Sequence, residues 1–276
     1  MTKGFVLFAV GKEYVKQAYL CAMSIRATGN EYPISLITSD SVVPKYSSIF
    51  DKIIDIPWYK EDNSRFQIEH RWKIYHASPY DQTIVLDTDV LVLQSLDVWW
   101  KFLDNYDLYY LDKAYTYRKQ RITTDYYRKA FTANKLPNIY NGIHYFKKSE
   151  FAHNFYKWLE LIANNWELFY GQYCKEHYPK TPSMDISVAI ASKIMDCDHK
   201  ITNKNNEFPM FIHMKPHAQN WHNVSESWQN KVGVYLTDDL QLKIGNYLQN
   251  TVFHYTENSF VTDKIVQQYE KFLGRN

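Results

Sequence analysis

Phe5-Val6-Leu7-Phe8-Ala9-Val10 is an unbroken apolar run that ends at a glycine, Gly11. An apolar run with no alternation reads as a strand buried on both faces, and such strands belong to parallel sheets covered by helices. The next segment fits that reading. Val15, Ala18, Tyr19, Ala22, Met23 and Ile25 recur at helical spacing, and Gly29-Asn30 stops the helix. Strands are predicted at 34–38, 53–56 and 83–86, with a helix over 67–76 that breaks before Pro79. This order within 90 residues predicts an α/β fold with ligands at the carboxyl ends of the strands. Later segments extend it: a strand over 138–146, helices over 150–167 and 184–195, short strands at 210–213 and 251–254, and a helix over 262–273. No repeat or Pro/Gly/Ser linker divides the 276 residues, so 1–276 is expected to be one domain, closed by the strand and helix of 251–276.

The strand at 83–86 carries the chemistry. Ile84-Val85-Leu86 runs into Asp87-Thr88-Asp89, and Val90-Leu91-Val92-Leu93 follows. An Asp-x-Asp triplet is weak by itself in a chain with 18 aspartates, and Asp196-Cys197-Asp198 is a second one. Context separates them, because the second lies among Lys193, His199 and Lys200. Two carboxylates inside an apolar segment lose hydration and repel each other. A hard divalent cation, Mn²⁺ or Mg²⁺, relieves both costs. The alternative is a pair of solvated acids at a strand end.

Five further segments keep a fixed order around this triplet. Phe8-Ala9-Val10-Gly11 ends the first strand and Arg71-Trp72-Lys73 precedes the acidic strand. Asn141-Gly142-Ile143 and Asp185-Ile186-Ser187 follow it, and Phe253-His254-Tyr255 closes the series. The ordered set resembles the GT-A fold glycosyltransferases, above all the glycogenin-like enzymes of family 8. The chain has Asn141-Gly142 where that family has Asn-Ser-Gly, Asp185-Ile186 where it has Asp-Gln, and no Lys-Pro-Trp after His254.

The resemblance implies a GT-A (Rossmann-like) mixed, mainly parallel sheet flanked by helices. It implies metal-dependent transfer of a sugar from a nucleotide-diphosphate donor, a UDP-sugar foremost, to an acceptor, with retention. Asp87, Asp89 and His254 would bind Mn²⁺ or Mg²⁺. His213 is the second choice for the third ligand, since His213-Met214-Lys215-Pro216 with Trp221 imitates the Lys-Pro-Trp element. Phe8, Ala9, Val10, Tyr14, Arg71, Lys73, Asp87, Thr88, Asp89 and Lys215 would contact the donor. Asp185 and Asn141 would lie near the anomeric carbon as the catalytic pair. Other roles remain open: Arg71 and Lys73 on a solvated helix face, and Asp185 as a helix cap.

Residues 113–135 look inserted. They hold seven Lys/Arg and one Asp, interleaved with Tyr115, Tyr117, Tyr126, Tyr127 and Phe131. That mixture suits a polyanionic acceptor such as nucleic acid, or is a solvated helix face. A glycan or protein acceptor is equally open, and a net charge of +2 selects no partner. Competing activities fit less well. A sugar nucleotidyltransferase needs a glycine-rich phosphate loop that Val10-Gly11-Lys12-Glu13 does not supply. A two-carboxylate hydrolase places its acids on separate elements across a cleft. A non-catalytic carbohydrate- or nucleotide-binding protein leaves the acidic pair unexplained. Cys21, Cys174 and Cys197 are odd in number and scattered, which suggests a reducing compartment. With no apolar run near the ~20 residues of a membrane span and no signal peptide, a cytoplasmic location is expected. The sequon Asn223-Val224-Ser225 is then silent.

Overall fold

The computed structural model describes residues 1–61, 67–123, 128–205, 208–222 and 224–275. Asn223 of the sequon and Asp125, Tyr126 and Tyr127 of the basic segment lie outside these residues. Twelve strands run along the described chain: β1 (Lys3–Phe8), β2 (Ile34–Thr38), β3 (Lys52–Asp55), β4 (Gln82–Leu86), β5 (Val90–Val92), β6 (Leu108–Leu111), β7 (Tyr140–Lys147), β8 (Phe211–His213), β9 (Val234–Leu236), β10 (Leu242–Ile244), β11 (Tyr247–Gln249) and β12 (Val252–His254). The central sheet has the order β3-β2-β1-β4-β7-β6, parallel from β3 to β4 and antiparallel where β7 meets β4 and β6. Phe5 sits in register with Ile34 on one side and Ile84 on the other.

Both faces of this sheet are covered, which is why β1, β2 and β4 are apolar without alternation. Phe5, Leu7, Ile84 and Leu86 join a core with the helices Lys12–Ala27 and Asp263–Phe272. Val6, Phe8 and Val85 point the other way, into a core with the helices Glu150–Asn164 and Met184–Ile194. The turn from β1 into the first helix needs Gly11, whose φ of +100° is strained for a residue with a side chain. Its N–H donates to Asp40 Oδ2 at 2.6 Å.

The expected elements form with several differences. β1 stops at Phe8, so Ala9 and Val10 belong to the turn above the sheet. The helix expected over 67–76 is two short helices, Ile68–Arg71 and Ile74–Ala77, separated by tight i→i+3 bonds such as Lys73 N–H to His70 O at 3.0 Å. Trp72, Tyr75 and His76 have low helix propensity, and their burial decides the local path. The helix over 150–167 breaks at Asn165, whose φ/ψ of −137°/38° is not helical, and Trp166–Tyr173 resumes on a new axis. The strand over 138–146 begins at Tyr140 and runs antiparallel to β4. β5 does not prolong β4. It pairs antiparallel with β12, which pairs parallel with β8, to make a second sheet. β9, β10 and β11 form an antiparallel meander that the sequence reading did not anticipate, nor did it anticipate β6. Gly142 permits the central sheet and the β5-β12-β8 sheet to meet: a Cβ there would sit 2.7 Å from the Phe211 ring of β8.

His144 of β7 is buried and stacks on Tyr110 at 5.1 Å. Burial pushes its pKa down from 6.5 to about 3. The unfolded chain therefore takes up a proton below about pH 6.5 while the folded chain does not, so stability is lost as pH falls from there toward 3. Between pH 6.5 and 4.5 this one residue should lower Tm by roughly 5–10 °C. Thermal melts across that range check it, and His144→Phe should flatten the slope.

Candidate active site

The acidic triplet bridges the central sheet and the β5-β12-β8 sheet. Asp87 N–H continues the central ladder by donating to Gly142 O at 2.9 Å, and Asp89 O accepts from Tyr255 N–H, beyond β12, at 3.1 Å. Thr88 between them is buried, its hydroxyl donating to Gln17 Oε1 at 3.1 Å. Gln17 is held in turn by Asn258 Oδ1 at 2.7 Å. Each carboxylate is thus fixed by a different sheet, and both remain partly open, with side-chain exposures of 22% and 24%.

β12 brings His254 to this pair. Ligand atoms of Asp87, Asp89 and His254 all lie within 4.8 Å of one another. His254 Nε2 is 2.9 Å from Asp89 Oδ2, and Arg71 Nη1 donates to Asp87 Oδ1 at 2.5 Å. Burial pushes the Asp89 carboxyl up, but His254, with Arg71 beyond, outweighs it and holds the pKa below the ordinary carboxylate value. Two carboxylates and an imidazole converging on one point are the donor set of a hard or borderline divalent ion. His254 and Arg71 are the groups now countering that negative charge.

The two histidine candidates are neighbours. His213 and His254 are in register across β8 and β12, with their Nδ1 atoms 3.0 Å apart. His213 is buried behind His254, farther from the acids, and its carbonyl accepts from Gln219 Nε2 at 2.6 Å. Burial first, then His254 and Lys215, hold the His213 pKa well below 6.5, so its ring is neutral. Lys215 is half-buried one residue past Met214, whose N–H donates to His254 O at 3.0 Å.

Asp185 and Asn141 form a second cluster one residue from Gly142. Asp185 does not cap its helix with its side chain. Its Oδ1 accepts from Asn141 N–H at 2.8 Å, and its Oδ2 takes Arg128 Nη2 at 2.8 Å. The Arg128 guanidinium lies 3.5 Å from the Tyr140 ring centroid. Asn141 Oδ1 is buried without a hydrogen-bond partner among the described residues. An unmet buried acceptor costs free energy that a ligand hydroxyl can recover.

Of the remaining donor-site expectations, Phe8 and Ala9 are buried, and Val10 and Tyr14 half-buried, at the carboxyl end of β1. The Phe8 ring centroid is 5.6 Å from the Arg71 guanidinium. Lys73 does not join this group; its Nζ donates to Trp58 O at 2.7 Å. In the basic segment, Tyr115, Tyr117 and Phe131 are core residues and Arg128 is committed to Asp185, so these groups are withdrawn from an acceptor surface. Arg128, Gln17 and Asp40 are the site residues that sequence reasoning missed, since each is a long-range partner with no local signature.

No protein-family model matches the chain, and no curated protein matches it in sequence. Solved structures do. The glycosyltransferase GlyE of Streptococcus pneumoniae TIGR4 is similar with a TM-score of 0.52 and 14% identity over 99% of this chain. Mouse xyloside xylosyltransferase 1, in its apo form, is similar with a TM-score of 0.55 and 9% identity, covering 94% of this chain and 99% of that one. The fold is that of the GT-A glycosyltransferases. The chain spans 63% of the GlyE structure's length. No helix among the described residues is long and apolar enough to cross a membrane.

The Arg128–Asp185 pair is mostly buried, so removing one partner leaves a charge uncompensated. Asp185→Ala should cost about 2–3 kcal/mol and lower Tm by roughly 5–10 °C. Asp185→Asn, which retains an acceptor for Asn141 N–H, should cost less. Calorimetry of both variants measures the difference.

Proposed function

We propose that this chain is a metal-dependent glycosyltransferase that moves a sugar from a UDP-sugar, with retention, to an acceptor. The observation that carries the reading is the convergence of Asp87, Asp89 and His254 at the carboxyl edge of a GT-A sheet. Asp87, Asp89 and His254 would hold Mn²⁺ or Mg²⁺. When bound, that ion supplies Lewis-acid neutralisation of the diphosphate, which makes it a good leaving group.

The chain's own residues divide the remaining work. Phe8, Ala9, Val10 and Tyr14 line the end of β1, where the uridine would sit. Arg71, already paired with Asp87, supplies positive charge beside the departing diphosphate, with Lys215 as a second cation on the β8 side. Asp185 and the unmet Asn141 Oδ1 would receive donor-sugar hydroxyls, with Arg128 fixing the Asp185 rotamer. His213 is a positioning residue. To ligate through Nε2, His254 must carry its proton on Nδ1, and His213 Nδ1 is placed to accept it. The acceptor, whether glycan, protein or polyanion, is selected by loops outside this cluster.

Thermal melts with UDP or GDP, each with and without Mn²⁺, test the reading. UDP with Mn²⁺ at about 100 times Kd should add about 2.7 kcal/mol, a rise of roughly 5–10 °C. The rise should vanish in Asp89→Ala. Absence of any metal-dependent nucleotide shift contradicts the proposal, and slow donor hydrolysis without acceptor would identify the sugar. His213→Phe should weaken Mn²⁺ binding 10–100-fold with the fold intact, measured by calorimetric titration of metal alone.

A further inference from the structure

A separate cavity of about 380 Å³ opens beside the helices Ile68–Arg71 and Ile74–Ala77, sharing a wall with the helix Glu150–Asn164. That volume is within the roughly 300–1,000 Å³ of small-molecule sites. Neither carboxylate of the acidic pair, nor His213, His254 or Asp185, lines it.

Trp58 forms its outer wall and is 66% exposed, although indole is among the most apolar surfaces a chain can offer to water. The backbone holds it there. Trp58 has φ of +51°, a strained value for a bulky residue, and its carbonyl is tied to Lys73 Nζ at 2.7 Å. Its ring runs nearly parallel to Trp72, with centroids 6.1 Å apart and planes at 18°. His76 stands edge-on to both, at 5.5 Å and 5.7 Å. Trp72 is buried, and its Nε1–H has no hydrogen-bond partner among the described residues. An oxygen reaching it would recover the cost of that unmet donor.

The polar lining says what kind of oxygen. Among the described lining residues Lys60 and Lys73 are matched by Glu69 and Glu160, so these side chains present no net charge for an ionic ligand. Burial holds the His76 pKa below its ordinary value, leaving a ring with one donor and one acceptor. Glu160 and Asn164 add acceptors and an amide donor on the helical wall. A flat apolar wall with charge-balanced, mixed donors and acceptors complements a neutral polyhydroxylated ring that has an apolar face.

We propose that this cavity binds a neutral pyranose unit of a glycan, its ring face on Trp58 and its hydroxyls on Glu160, Asn164 and His76. Binding requires neither metal nor nucleotide, so the site stands apart from the transferase centre. It would let the chain hold a glycan independently of the donor.

The test is a titration of the full chain in EDTA, without nucleotide. Glucose, galactose and N-acetylglucosamine and their short oligomers are followed by tryptophan fluorescence and saturation-transfer NMR. At least one sugar series should bind saturably. Trp58→Ala should weaken it at least tenfold with Tm changed by no more than a few degrees, since the side chain is largely exposed. Glu160→Gln should weaken it several-fold, and Asp89→Ala should bind as the unaltered chain does. No saturable binding, or binding indifferent to Trp58→Ala, overturns the proposal. Binding lost in Asp89→Ala also overturns it, because the sugar would then lie at the acidic pair. None of these three failures touches the metal-dependent nucleotide shift, so the two sites are judged separately.

Discussion

Two carboxylates taken partly out of water, two residues apart, are the constraint on which the site depends. Left alone, Asp87 and Asp89 would repel each other across a medium that screens poorly. The fold answers with Arg71 on one acid and His254 on the other, each from a different element. Under the proposed function, His254 would serve as a ligand and Arg71 as charge beside the phosphates, so that a cation and an anion would bind together. Thr88 between the acids has its hydroxyl and its carbonyl bonded by the protein, so the triplet is held from the middle and from both ends.

The second sheet exists in service of that geometry. β5, β12 and β8 are only three residues each. Their pairing nevertheless draws residues from the middle and the end of the chain to one point, with His254 opposite Val90 and beside His213. The buried rings behind it fix its height: Tyr255 O accepts from Trp228 Nε1 at 2.8 Å, and Tyr255 stacks on Phe260 at 4.5 Å. Gly142 is where the two sheets touch, which explains a glycine inside a strand that is otherwise bulky. Asn141 and Asp185 sit just beyond that contact, so the metal and sugar halves of the proposed site share one hinge of backbone.

Much of this was legible in the residues, and the rest was not for identifiable reasons. Apolar runs in β1, β2 and β4 report burial on both faces, so the central sheet could be read directly. The position of Asp87 and Asp89 between apolar runs likewise marked them. An apolar run carries no direction, however, so β7 read as a strand but not as an antiparallel one. Nor could Val90 to Leu93 reveal that they leave the first sheet for a second. Arg71 and Lys73 are equivalent by spacing; only the tight turn at Trp72 and Lys73 sends one to Asp87 and the other to Trp58 O. The sequence ranks His254 above His213 but cannot show that the two are neighbours; the structure sets His254 against Asp89 and His213 behind it. Arg128 looked like a member of a basic surface run, and its burial depends on Tyr140 beyond the segment and on Asp185, 57 residues away.

The central claim is that Asp87, Asp89 and His254 act together as one metal centre for a nucleotide diphosphate. Anomalous diffraction from crystals grown with UDP and Mn²⁺ tests it most directly. The account predicts a single strong manganese peak bonded to one oxygen from each aspartate, to His254 Nε2 and to diphosphate oxygens. Asp89 would then have given up its hydrogen bond to His254. A manganese peak elsewhere, or an intact His254–Asp89 hydrogen bond with UDP bound, would contradict it.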